Sequence, residues 1–263
     1  MPELAEIKIM SEYINNVCHG EDFTSFSVSP EVARRLSLVQ PTELQIFDIS
    51  AESRGKELIL TLSSGIHKYQ LSVSMGMSGH WVFWDSPISP KHTHLKFNTV
   101  HGRCLCLVDA RRFAKWKWST GWSPNRGPCP VTQFDHFKEN ICNSFNRKEF
   151  DKPIHLVLMN QLYFNGIGNY LRAEILYRAD QDPFEDARTA LTNNPSILEL
   201  CHTIPFEAYL IGGGQLKDWT NPFDVPPDGF NDWIKCYRMA DCSIIDKNGR
   251  TFWYYKSQCK SIL

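Results

Sequence analysis

The chain has 263 residues, 42% of them hydrophobic and 22% charged, with 15 Gly and 15 Pro, a balance that excludes collagen-like, coiled-coil and low-complexity architectures. A formal net charge of −1 gives no bulk reason to expect a polyanion partner, so any such case rests on local charge. No run approaches about 18 apolar residues and Met1–Glu6 lacks the basic start and apolar run of a secretion signal, which predicts a soluble intracellular protein without membrane contact. Nine cysteines without a Cys-x-x-Cys pair read as reduced thiols of the cytosol or nucleus and give no support to a structural zinc.

Leu4, Ile7, Tyr13, Ile14 and Val17 recur at three- and four-residue spacing, which predicts a leading helix that starts at Pro2 and stops at Gly20. From Phe23 to about Asp109 short β-rich runs follow, at Leu44–Ile49, Glu57–Leu62, Tyr69–Val73, His80–Trp84, His94–Phe97 and Cys104–Val108. Such a series predicts an antiparallel β-sandwich. Three prolines and a glycine between Ser123 and Pro130 read as a hinge, which sets an N-terminal domain at 1–125, the hinge at 126–131 and a C-terminal domain at 132–263. Helical spacing then covers Thr132–Ser144, Lys152–Asn160, Asn169–Arg178, Phe184–Thr192 and Ser196–Leu210, the last with a bend at Pro205. Cys242–Ile245 and Thr251–Tyr255 flank Lys247-Asn248-Gly249-Arg250, where Asn-Gly signals a hairpin. The expected fold class is α+β.

Several constellations carry chemistry, each beside a plainer reading. Once Met1 is removed, Pro2 is a secondary amine with a reference pKa of about 7.7–8.0, nucleophilic at neutral pH and able to form a cationic iminium on a sugar carbon. Glu3 beside it would serve as general acid or base. The same two residues also suit an ordinary helix start. Lys56, after Gly55 at the start of a β-run, offers a second proton donor or a phosphate contact, or is a solvated turn lysine. Met77 lies between glycines in Gly76-Met77-Ser78-Gly79, as an exposed residue or as turn filler.

Between Ala110 and Pro128 stand Arg111, Arg112, Lys115, Lys117 and Arg126 with no acidic residue, interleaved with Phe113, Trp116, Trp118 and Trp122. Cations with aromatic wedges suit a nucleic acid whose stack is being opened, while a cationic loop over half-buried tryptophans is the alternative. Gly166-Ile167-Gly168-Asn169 precedes a helix, with Asn169 as its capping residue and free N–H groups aimed at a phosphate. It is neither a dinucleotide fingerprint nor a P-loop, because Leu171 replaces the third glycine and the lysine is absent. Arg250 at the hairpin tip offers a second phosphate contact or is an exposed turn arginine.

Met1–Glu6, Ala51–Leu58, Gly76–Gly79, Val108–Phe113, Phe164–Leu176 and Asn248–Thr251 together, in this order, resemble the formamidopyrimidine-DNA glycosylase and endonuclease VIII family, and within it the animal subgroup. The resemblance implies a base-excision repair enzyme with an N-terminal β-sandwich, a helix-two-turn-helix domain, a zinc-free finger at about 236–260 and a DNA-binding cleft. It implies that Pro2 displaces the damaged base and forms the Schiff base, with Glu3 as acid/base partner and Lys56 as proton donor or phosphate contact. Asn169 and Arg250 would clamp the phosphates flanking the flipped nucleotide. Met77, Arg111 and Phe113 would fill the void it leaves, Arg112 would contact a phosphate, and Lys235 and Tyr237 of Lys235-Cys236-Tyr237 would lie over the lesion. No metal and no cofactor is implied. The partner is damaged DNA, the protein a monomer, and its compartment the nucleus, with mitochondrion and cytoplasm as further sites.

Leu4 and Ala5 stand where the family has Gly and Pro, and Ala114 where it has Gly. Animal members carry a basic tail beyond the finger, so functions borne by such a tail are expected to be missing from a chain ending at Leu263. The expected activity is a bifunctional glycosylase and abasic-site lyase that removes oxidised pyrimidines and ring-opened purines and cuts the strand by beta,delta-elimination. A catalytically silent lesion-DNA-binding module and an N-terminal-proline enzyme acting on small carbonyl compounds are the alternatives.

Overall fold

Alternation at period two carries the first half of the chain into sheets. The computed structural model describes residues 2–214, 219–246 and 249–259, so Met1, the Lys247-Asn248 half of the expected hairpin turn and Lys260 lie outside the described residues. Helix α1 (Leu4–Cys18) begins two residues after Pro2 rather than at it, and Gly20 follows with a φ of +76°. Then come β1 (Phe23–Val28), α2 (Pro30–Leu36), β2 (Asp48–Arg54), β3 (Glu57–Ser64), β4 (His67–Ser74), β5 (His80–Trp84), β6 (Thr93–Thr99), β7 (Cys104–Val108) and β8 (Lys115–Ser119). They form two antiparallel four-stranded sheets, in the orders β1-β6-β7-β5 and β2-β3-β4-β8. Leu60 sits between Ala51 and Leu71 in one, and Leu107 between Trp81 and Leu95 in the other, all buried. Such rows of apolar side chains across a sheet provide the burial that holds it.

Three expectations shift here. The strand expected at Leu44–Ile49 begins at Asp48 instead; Leu44 closes a turn on the Pro41 carbonyl, and Phe47 exchanges two backbone hydrogen bonds of 2.9 Å with Phe23. Helix α2 has no counterpart among the expected elements, although Pro30 starts it and Arg34 and Arg35 favour its C-terminal end. Strand β8 stands where a loop with aromatic wedges is expected. Trp116 is buried and donates its indole N–H to the Leu36 carbonyl at 3.1 Å, while half-buried Trp118 donates to Val39 at 3.2 Å, so these two rings tie the strand to α2 and the segment behind it.

The second half is helical: α3 (Phe134–Ser144), α4 (Ile154–Val157), α5 (Asn169–Arg178), α6 (Ala187–Asn193), α7 (Ser196–Leu210) and α8 (Asp228–Trp233), closed by the hairpin β9 (Cys242–Ile245) and β10 (Thr251–Tyr254). The helix expected at Lys152–Asn160 shortens to α4, because Pro153 cannot donate within a helix and the residues after α4 form two successive turns. Asn160 and Gln161 organise those turns, through Leu162 N–H to Asn160 Oδ1 (3.1 Å), Gly166 N–H to Gln161 Oε1 (3.0 Å) and Gln161 Nε2 to the Ile167 carbonyl (2.9 Å). Helix α6 starts at Ala187 rather than Phe184, since Asp186 caps it by accepting the Thr189 N–H. Pro205 lies inside α7.

The chain divides into two compact units between Trp122 and Ser123, and each unit also draws on a remote segment. Gly214–Val225 belongs with the first unit, and Glu3–Ala5 with the second.

Candidate functional site

In the second unit one helix gathers five of the residues singled out in the sequence. The turn before α5 is expected to present free N–H groups to a phosphate, with Asn169 as the cap. The structure corrects both points: Gly168 is the capping position, and Glu3 already occupies the helix end, its two carboxylate oxygens accepting the N–H groups of Tyr170 (3.1 Å) and Leu171 (3.3 Å). Buried Glu3 therefore neutralises the positive end of α5, and Pro2 is joined covalently to an anchored residue. Leu4, beside it, donates its N–H to the Gly166 carbonyl at 3.1 Å and is buried together with Ala5, so the departures at both positions are accommodated.

Asn169 turns its side chain to the hairpin. Its Nδ2 donates to the Thr251 carbonyl at 2.8 Å, next to Arg250, and its Oδ1 accepts from Arg172 Nη2 at 2.6 Å. One turn on, the Glu174 carboxylate accepts three consecutive backbone N–H groups, from Lys235 (3.0 Å), Cys236 (2.8 Å) and Tyr237 (2.8 Å). That cradle fixes the Lys235-Cys236-Tyr237 segment, whose Tyr237 ring meets Tyr170 edge-on at 6.4 Å while Lys235 stays exposed. Glu3, Asn169, Arg250, Lys235 and Tyr237 are thus brought together through α5.

Arg172 and Glu174 escape notice in the sequence because helical periodicity treats charge as surface. Every residue from Tyr170 to Leu176 is in fact buried. Two charges inside such an apolar stretch are the available signal, since buried charges are paired. Burial holds the Arg172 guanidinium below the usual arginine range, and the Asp246 and Glu3 carboxylates oppose that effect.

A second group lies in the first unit. Asp109, fully buried after β7, accepts the Ser78 hydroxyl (2.5 Å) and the N–H groups of Arg111 (3.1 Å) and Ala114 (2.7 Å), which shapes the loop between β7 and β8. Ala114 is buried and lies outside the left-handed region, so glycine is not required there. Arg112 is left-handed at φ +58°, and its carbonyl accepts Arg35 Nη2 from α2 at 2.9 Å. The Phe113 ring is 45% exposed with the Arg111 guanidinium 5.0 Å from its centre. Gly76 packs so tightly on this loop that a Cβ there would fall 2.7 Å from Phe113, and Met77, its neighbour in the chain, is half-buried. Lys56 occupies the second position of the two-residue β2–β3 turn, after Gly55 at φ +59°. Among the described residues no group of three or more His, Cys, Asp and Glu is placed to hold a metal ion, and no helix is long and apolar enough to cross a membrane.

Residues 1–116 match the Formamidopyrimidine-DNA glycosylase N-terminal domain. Endonuclease 8-like 1 of Mus musculus is 37% identical over 285 residues, covering 97% of this chain and 72% of that protein. The chain belongs to the formamidopyrimidine-DNA glycosylase family. Another family member, Endonuclease 8-like 1 of Homo sapiens, is 36% identical with the same coverage, and the Formamidopyrimidine-DNA glycosylase of Marinobacter nauticus is 26% identical over 94% of this chain and 92% of its own. Solved structures of the family share the fold. The MutM (Fpg) protein of Thermus thermophilus superposes with a TM-score of 0.79 at 21% identity, covering 98% of both chains. Lactococcus lactis Fpg in complex with DNA containing an abasic site superposes with a TM-score of 0.81 at 19% identity, covering 98% of this chain and 99% of that one.

Proposed function

We propose that this glycosylase excises oxidised bases through an imine on Pro2. As a member of its family the chain is a DNA glycosylase of base-excision repair with lyase activity at abasic sites, and its partner is damaged DNA. With Met1 removed, the Pro2 nitrogen attacks the C1′ carbon of a nucleotide flipped out of the duplex. The glycosidic bond breaks, the base leaves, and opening of the sugar ring gives an iminium. Loss of a C2′ proton then expels the 3′ phosphate, and a second elimination expels the 5′ phosphate. Glu3 exchanges protons with the sugar, and Lys56 donates a proton or holds a phosphate during scission.

The observation that carries this reading is the anchorage of Glu3 on α5: two N–H donors fix the carboxylate that follows the nucleophile, on the helix that also holds Asn169. Asn169 and Arg250 clamp the phosphates around the extruded nucleotide. Met77, Arg111 and Phe113 occupy the void, Arg112 takes a further phosphate, and Lys235 and Tyr237 face the lesion. Oxidised pyrimidines and ring-opened purines are the substrates, and genomic DNA makes the nucleus the place of work.

Borohydride trapping on an oligonucleotide with an abasic site or an oxidised pyrimidine, with Met1 removal verified, tests the reading. Wild type is expected to give a covalent adduct and Pro2→Gly, which lacks the secondary amine, much less. DNA binding by both proteins with no adduct from either would overturn the chemistry and leave a silent lesion binder.

A further inference from the structure

A two-stranded hairpin is marginal in water by itself, and the β9–β10 ladder is only four residue pairs long. Arg250 can grip a phosphate only if that hairpin is held. Asp246, buried just after β9, is where it is held: its Oδ1 accepts the Arg250 N–H at 3.0 Å, and its backbone N–H donates to the Arg250 carbonyl at 2.9 Å. Its Oδ2 lies 3.5 Å from Nη2 of Arg172, whose side chain has no exposure at all.

The same Nη2 donates to Asn169 Oδ1, Nη1 donates to the His155 carbonyl at 3.0 Å, and the guanidinium lies 4.7 Å from the centre of the Phe252 ring of β10. Asn169 closes the circuit through its bond to the Thr251 carbonyl. Arg172, Asp246, the Arg250–Thr251 backbone and Asn169 thus form one ring of contacts around a buried ion pair. Well-packed apolar side chains of similar volume would give comparable stability at no desolvation cost, so stability alone does not account for charges at this point.

We propose that Arg172 and Asp246 are positioning residues for the DNA grip, setting Asn169 and Arg250 at the spacing of two phosphates on one strand. The proposal rests on the reading of Asn169 and Arg250 as phosphate ligands. One guanidinium serves both ligands, so neither moves alone. The ion pair touches no substrate; it acts through the residues that do.

The test compares wild type, Arg250→Ala, the paired variant Arg172→Met with Asp246→Asn, and the combination of all three changes. Binding is measured on a duplex carrying a tetrahydrofuran abasic analogue over a range of salt, with melting temperature and amide hydrogen exchange as further readouts. The paired variant leaves no uncompensated ion, so its melting temperature is expected within a few degrees of wild type. Its affinity is expected to fall about tenfold to a hundredfold, as in Arg250→Ala, with a salt dependence shallower by about one. Amides of 251–254 should exchange faster while those of α3 and α7 keep their protection. Adding Arg250→Ala to the pair should then change affinity little, because the ligand has already lost its place.

A paired variant with wild-type affinity and salt slope overturns the proposal. So does a full further loss on adding Arg250→Ala. If Arg250→Ala by itself leaves the slope unchanged, the phosphate reading has failed and the proposal, which rests on it, falls with it; a reduced slope in Arg250→Ala together with unchanged protection of 251–254 in the paired variant refutes the positioning claim alone. Should the paired variant melt early, Arg172→Lys keeps the charge but cannot reach both partners, and the same three readouts apply to it.

Discussion

The backbone N–H of Tyr237 donates to the Glu174 carboxylate at 2.8 Å, across 63 residues of sequence. Two further N–H groups share that carboxylate, so it meets three donors with two acceptor oxygens and no hydrogen of its own. In Glu174→Gln the carboxamide NH2 must face one of those donors. We expect a stability loss of about 1–3 kcal/mol, read as a lower melting temperature. Because the displaced segment is the one assigned to the lesion, excision of an oxidised base should fall more than cleavage at a preformed abasic site. Equal losses on both substrates would remove Lys235 and Tyr237 from lesion contact.

Asp109 plays the corresponding part in the first unit. Asp109→Ala leaves the N–H groups of Arg111 and Ala114 without their acceptor and opens a hole beside Ser78. A loss of about 2–4 kcal/mol is expected from unsatisfied buried donors together with lost packing. Affinity for lesion duplex should fall with it, since Arg111 and Phe113 lose their fixed loop. A variant that melts early yet binds DNA as wild type would show that the loop needs no preset shape.

Much of the fold is legible where one periodicity rules. Glu57–Leu62 lies within β3 and Asn169–Arg178 matches α5 residue for residue. Lys115-Trp116-Lys117-Trp118 alternates as a strand should, but its charge draws the reading toward a nucleic-acid loop. Leu44, Ile46 and Phe47 look like a strand, yet Pro41 bends the chain into a turn before β2 can start. In the site, motif residues stand out by type and order, whereas their supports do not. Glu3 finds Tyr170 across 167 residues, and no local pattern encodes such a pairing. Arg172 and Glu174 are hidden for the opposite reason, since polar residues on a helix are read as its solvent side.

The thiols give a cheap check on burial. Cys18, Cys106 and Cys236 are pushed up to about 12, chiefly by burial, and Cys201 is raised further by burial alone. The thiolate is the reactive form, so these four are expected to be inert to iodoacetamide at neutral pH. Cys142 on α3 is exposed and should label first in the native protein. Rapid labelling of Cys106 or Cys201 without denaturant, read by peptide mass spectrometry, would mean that the core around β7 or α7 opens.

His155 makes stability depend on pH. Burial lowers its pKa most strongly; its hydrogen bond to the Pro183 carbonyl, at 2.7 Å, works the other way, nearby Arg172 lowers it further and Asp246 raises it. Because a carbonyl only accepts, Nδ1 carries the hydrogen, and the ring is stacked on Phe252 at 4.9 Å. A folded pKa below the unfolded value of about 6.5 means that the unfolded chain takes up the proton first as pH falls. The contribution of His155 is therefore complete above about pH 6.5 and is lost as pH drops from there toward the folded value. His155→Phe keeps the stack, and Pro183 keeps the backbone N–H of residue 155 as a donor at 3.2 Å. The variant should melt below wild type at pH 7.5, with the gap narrowing at pH 5. A gap that stays constant across that range would show that His155 does not titrate with unfolding.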